Sequence, residues 1–225
     1  MLLTVLAAGP LQHLDIHGHE YWARMLPPEA HHVLQHVLDP IAGQAVCLPV
    51  LITVAVVIAV RRRSWRPIIC AVAAEVAFYL GVGGTKVLLA RPAPTERDAE
   101  FFAGGLLKDG WHGISYPSGH AAEAVLIYGT AVYLIARYTA VSRSTVRVLG
   151  VGVGVIALNA VAVSYTLGWH WASDLFAGLL TGGLLLRLLV WWDTEAIARE
   201  RAEQDLAEER TIVPASYERT EKLAA

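Results

Sequence analysis

The stretch AGQAVCLPVLITVAVVIAV, Ala42 to Val60, runs for nineteen residues without one charged side chain. At 1.5 Å per residue a helix of that length reaches about 28 Å, close to the hydrocarbon thickness of a bilayer. Almost no polar face is left to lie against water, so the segment predicts a membrane-spanning helix. Four more stretches are comparably long and poor in charge: Pro67 to Ala90, Ala121 to Arg137, Val146 to Tyr165 and Trp171 to Trp192. The expected fold is therefore all-α, a polytopic transmembrane bundle of about five spanning helices plus an N-terminal interfacial segment. Composition points the same way, with 55% of the 225 residues apolar and 17% charged, where soluble domains average roughly 45–50% and about 25%.

Outward from these spans, the chain is expected to divide into an apolar and interfacial segment (1–41), a membrane-embedded domain (42–192) and a charged cytoplasmic tail (193–225). A net charge of −2 and a pI near 6.5 leave none of the basic footprint that nucleic acid requires, so no such partner is expected. Cys47 and Cys70 lie inside apolar runs and are read as small buried hydrophobes. The N-terminal segment carries His13, His17, His19, His31, His32 and His36. Their spacing fits no tight metal-ligand pattern, so the segment is read as interfacial with incidental histidines, Tyr21 and Trp22 sitting at headgroup level. Lysine and arginine bias orients the bundle. Arg61, Arg62, Arg63 and Arg66 crowd the first connection, and Arg137, Arg143 and Arg147 mark the third. Those loops are expected on the cytoplasmic side, which puts Arg91 to Pro117 and Gly168 to His170 on the outer one.

Two outer segments carry chemistry. Tyr116-Pro117-Ser118-Gly119-His120 directly precedes an apolar helix. Ser118 is placed to cap it, and the exposed N–H groups around Gly119 at the positive end of the helix dipole suit an anion such as phosphate. Gly168-Trp169-His170-Trp171-Ala172-Ser173-Asp174 sets a histidine and an aspartate four residues apart, on one face if helical. An aspartate there fixes the ring tautomer and leaves the other nitrogen as nucleophile or base. His120 and His170 fall on the same membrane face. One attacking phosphorus and one protonating the leaving oxygen make a phosphoryl-transfer pair that calls for no metal and no cofactor. Lys86 and Arg91 add cations near the end of the second span, where Pro92 and Pro94 stop the helix.

In this order the elements resemble the type 2 phosphatidic acid phosphatase superfamily, the lipid phosphate phosphatases that share a fold with vanadium haloperoxidases. The resemblance covers about Ala42 to Arg187 and rests on K-x(6)-R-P, then P-S-G-H, then S-R-x(5)-H-x(3)-D. Pro117, Ser118, Gly119 and His120 match the second motif in full, and His170 and Asp174 match within the third. The resemblance implies a phosphohistidine on His170, Asp174 orienting it, His120 as general acid, and Lys86, Ser118 and the Gly119 amide holding phosphate oxygens. Ala93 and Ser164 stand where the family has arginine.

Arg91 is the nearest replacement, with Arg97, Lys108 and His112 as others in the same loop. On a regular helix Arg91 would point about 140° away from Lys86, whereas an extended path around the prolines lets it bend back. The expected function is an integral membrane phosphatase acting on a lipid-linked phosphate, polyprenyl or glycerolipid, at the outer face of the plasma membrane. A phosphotransferase using the same histidine and a noncatalytic lipid-phosphate binder are the alternatives.

Overall fold

Hydrocarbon offers no partner to a backbone N–H or C=O, so each apolar run satisfies these groups internally by coiling into a helix. The computed structural model describes residues 2–18 and 25–224, with side chains described in 4–18 and 25–207. His19, Tyr21 and Trp22 lie outside the described residues. Among the described residues three short helices come first, α1 (Leu2–Ala7), α2 (Pro10–Gly18) and α3 (Pro28–Val33), the last running on into a π-helical turn at Leu34–Leu38. Five helices long and apolar enough to cross a membrane follow.

The first spanning helix, α4 (Gln44–Arg62), starts at an extended Gly43 and stops at Arg63 in the left-handed region. The second begins as α5 (Arg66–Phe78), widens through a π-helical turn at Tyr79–Gly83 and resumes as α6 (Gly84–Leu89). It ends at Ala90, whose φ of 41° turns the chain sharply. A short helix, α7 (Leu106–Asp109), lies in the following loop. Two serine-capped helices come next: α8 (Gly119–Tyr138), with Ser118 accepting from the Ala121 N–H, and α9 (Arg143–Thr166), with Ser142 accepting from Thr145. Helix α10 (Ala172–Ala224) is the last. Among the described residues no strand occurs. The chain divides into two compact units, Met1–Arg187 and Leu188–Ala225, and the site lies in the first.

Helix α8 is the centre of the bundle: 56% of its span is buried, against 28% or less in the other four. Helix α9 instead turns Val148, Val151, Val155 and Leu158 outward, each at least 60% exposed. That stripe, spaced three and four residues apart, is the face a lipid-contacting helix presents. Close approach of α10 to α8 depends on Gly178 and Gly182. A Cβ at Gly178 would fall 2.5 Å from the Ser118 carbonyl oxygen, and one at Gly182 would fall 2.6 Å from that of Ala122. Small residues four apart let two backbones meet where lipid supplies no hydrophobic drive between helices. The contact sets the start of α8 beside the start of α10, where the two histidine motifs lie.

Candidate active site

The α8 end of the site is fixed through backbone bonds. The Ser118 N–H donates to the Asp174 carbonyl at 2.9 Å, tying the second motif to the third. Ser118 is fully buried, and its Oγ accepts from the Ala121 N–H at 3.5 Å. Capping uses the hydroxyl on one first-turn donor and leaves the Gly119 and His120 N–H groups, which no earlier turn can satisfy, at the positive end of the helix. A Cβ built on Gly119 would meet Lys86 Cε at 3.8 Å, so the lysine stem packs against this turn. Lys86 donates to the Ile114 and Ser115 carbonyls at 2.9 and 3.0 Å. An ammonium has three donors, so one remains for a ligand.

On the α10 side, His170 Nδ1 lies 3.5 Å from Asp174 Oδ2, with the imidazole only 12% exposed. At that length the contact falls short of a well-formed hydrogen bond, and Nδ1 has no other partner. Burial pushes the His170 ring below the usual histidine range and outweighs the opposing pull of Asp174. The ring is then neutral at neutral pH, with Nε2 turned away from the carboxylate. Asp174 is itself held from several directions: Oδ2 accepts the Trp171 N–H at 3.1 Å and Oδ1 accepts Arg91 at 2.6 Å.

Arg91 is fully buried, and every guanidinium nitrogen is committed. Nε donates to the Ala99 carbonyl at 3.0 Å, one terminal nitrogen to Ser173 Oγ and Asp174, and the other to Asp15 at 2.8 Å. Its flat faces sit 4.9 Å from the Phe101 ring and 5.6 Å from that of Trp171. The left-handed turn at Ala90 swings the side chain inward off the helix, and a Trp171 Nε1–H bond to the Pro92 carbonyl at 2.9 Å pins the loop. Arg91 therefore grips the carboxylates behind the imidazole, with four of its five N–H donors engaged in these bonds.

The other positions of interest are equally clear. Ala93 is buried, with its N–H bonded to the His112 carbonyl at 2.6 Å. Ser164 is fully buried and its Oγ has no hydrogen-bond partner. Arg97, Lys108 and His112 are exposed in the outer loop, Lys108 donating to the Ala103 carbonyl. Glu123 is buried one turn into α8, within electrostatic range of His120 and Lys86. Glu75 takes a 3.4 Å bond from Gln44, which also accepts from the Tyr79 hydroxyl.

Two aspartates from the N-terminal segment also enter the site. Asp15, on α2, bonds Arg91 and accepts the Ser173 N–H at 3.1 Å. Asp39, at the end of the Leu34–Leu38 turn, lies 3.3 Å from His120 Nε2 through Oδ2. Sequence reasoning missed both because no motif spacing links them to the histidines. The segment holds four acidic residues, Asp15, Glu20, Glu29 and Asp39, and nothing in their spacing singles out these two. Lys86 and His120 both act electrostatically on the His170 ring, so the three groups lie near one another.

Residues 67–198 match the PAP2 superfamily. No curated protein sequence matches the chain significantly. Among solved structures, the chain is similar to a transmembrane PAP2-type phosphatidylglycerolphosphate phosphatase from Bacillus subtilis, with a TM-score of 0.69 and 19% identity over 86% of this chain and 93% of that one. The likeness is one of fold, and with five apolar spans it makes the protein an integral membrane helical bundle. Since the family match takes in more than half of the sequence, including Lys86, the Pro117 to His120 motif and the His170–Asp174 pair, the chain belongs to the PAP2 superfamily.

Proposed function

We propose that the protein is a metal-independent phosphatase for a lipid-linked phosphate, polyprenyl or glycerolipid, working at the outer face of the plasma membrane. The observation that carries the reading is the contact of His170 with Asp174, backed by Arg91 and joined through the Ser118 amide to the helix end that bears His120. With Nδ1 turned to the carboxylate, neutral His170 attacks phosphorus through Nε2. A P–N bond forms as the P–O bond to the lipid alcohol breaks, and the departing oxygen takes a proton from His120. Water then gives a proton back to His120 and attacks phosphorus, releasing phosphate and restoring His170. Lys86, the Ser118 hydroxyl and the Gly119 amide stabilise the equatorial oxygens, where charge gathers in phosphoryl transfer. The phosphatase named in the structural comparison acts on a glycerolipid phosphate, which agrees with this substrate class.

Arg91 favours one second reading. With its guanidinium occupied by Asp15 and Asp174, the pocket has fewer positive charges for a dianionic monoester. A singly charged phosphodiester donor, with transfer to an acceptor alcohol instead of water, suits it better.

Purified protein in detergent is expected to release phosphate from lipid phosphates with EDTA present. His170→Ala and His120→Ala should each lose at least about a hundredfold of that rate. Activity surviving in His170→Ala rejects the assigned nucleophile. No turnover across a lipid-phosphate panel favours a binding protein, and product formation that rises with added glycerol favours the transferase.

A further inference from the structure

The Asp39–His120 contact has no counterpart in the motifs, since residue 39 lies outside the stretch matched to the family. Asp39 is only 8% exposed, and its Oδ1 is buried without a hydrogen-bond partner. An ionised carboxylate in such a place needs a compensating partner. Oδ2 faces His120 Nε2 at 3.3 Å.

The backbone around Asp39 is anchored on both sides by side chains from the bundle. Asn159 of α9 donates to the Leu38 carbonyl at 2.8 Å, and the Tyr128 hydroxyl of α8 donates to the Ile41 carbonyl at 2.5 Å. The Ala42 N–H closes a turn onto the Asp39 carbonyl at 3.2 Å. Gly43 completes the clamp: a Cβ there would stand 2.9 Å from His120 Nε2. The ring is thus held from the N-terminal segment, as His170 is held from α10.

We infer that Asp39 is the positioning residue for His120, holding Nε2 so that Nδ1 is the nitrogen that exchanges a proton with the leaving oxygen. The inference rests on the acid role given to His120 above. In the first half-reaction the imidazolium keeps its Nε2–H on Asp39 and passes its Nδ1 proton to the lipid alkoxide as the P–O bond breaks. The neutral ring then takes a proton from water at Nδ1 during hydrolysis of the phosphohistidine, and the cycle closes without net proton gain. Glu123 and Lys86 are the other charged groups that act on the ring, with opposite signs. Asp39 alone among these three contacts it through an ion pair. The end of the N-terminal segment, around Asp39, then belongs to the catalytic apparatus.

Dependence on the leaving group separates this role from a structural one. Two substrates with the same alkyl tail are compared, an alkyl phosphate whose leaving alkoxide needs a proton and a tailed nitrophenyl phosphate whose phenolate does not. Asp39→Asn should lower kcat/KM, which reports only the steps up to departure of the leaving group, by about tenfold or more on the alkyl phosphate, leaving that of the nitrophenyl ester within about threefold. Asp39→Glu should recover part of the loss. Asn159→Ala, which keeps the carboxylate but frees its backbone anchor, should give the same selectivity to a smaller degree and serves where Asp39→Asn does not fold. His120→Ala should be selective in the same sense and more strongly. If His120→Ala is selective while the Asp39 and Asn159 variants slow both substrates alike, or neither, the positioning role is overturned and the acid assignment stands. If His120→Ala slows both substrates equally, the acid assignment falls and the inference with it.

Discussion

At the scale of single residues, the informative one is Arg91. A regular helix through it predicts a side chain turned from Lys86, and a kinked one a side chain free to reach the phosphate. The left-handed Ala90 gives a third outcome, in which the guanidinium is fully buried and bridges Asp15 and Asp174. A planar fork with donors on several edges spans two carboxylates, which an ammonium cannot do. Removing it would leave two acidic groups buried together. Arg91→Ala should therefore cost about 3–5 kcal/mol of stability, read from thermal or denaturant unfolding in detergent, with Arg91→Lys recovering little. A variant as stable as the parent but weak in vanadate binding would return Arg91 to the phosphate. Lys86 and the imidazoles lay within reach of motif reading because they stand in short, recognisable spacings. The allegiance of Arg91 did not, because it depends on a turn that no local preference of alanine would suggest.

Among the elements, the start of α8 and the start of α10 form the unit that holds the candidate active site. Their approach requires Gly178, where an added Cβ meets backbone at 2.5 Å, a contact that no side-chain adjustment relieves. Gly178→Ala is expected to destabilise by about 1–3 kcal/mol and to lower phosphate release further, because the atom it strikes is the Ser118 carbonyl beside the proposed phosphate site. Gly183→Ala is the matched control: nothing lies within 4 Å of its added Cβ. It should be neutral or slightly stabilising through better helix propensity. Equal effects of the two substitutions on melting temperature and rate would mean that the helix contact does not set the site. The spanning helices themselves were legible, as length and lack of charge already demanded them. The π-helical turn at Tyr79–Gly83 was not, because a hydropathy pattern does not register one extra residue in a turn.

For the whole molecule, orientation is the property that decides which lipids reach the site. Arginines at 61, 62, 63, 66, 137, 143 and 147 gather at one end of the bundle and the histidine motifs lie at the other. With positive loops held inside, Thr95→Cys in the loop after α6 should react with a membrane-impermeant maleimide in intact cells. Ser144→Cys, at the start of α9, should react only after permeabilisation. Both positions are exposed, and the native Cys47 and Cys70 are buried. The reverse labelling would turn the site to the cytoplasm.

The sequence by itself determined that the chain is a membrane bundle and that His120, His170 and Asp174 are its candidate reactive groups. Unpaired backbone in hydrocarbon is penalised residue by residue, and a helix start or a four-residue spacing is local, so both are written in consecutive positions. Only the tertiary structure decided that Asp15 and Asp39 come back to the site, and that Arg91 serves a carboxylate. Those contacts join residues far apart in the chain, and they exist because two glycines let α10 close on α8 while α8 and α9 anchor the incoming segment. Packing of that kind depends on how all the helices meet at once, which no single stretch of sequence records.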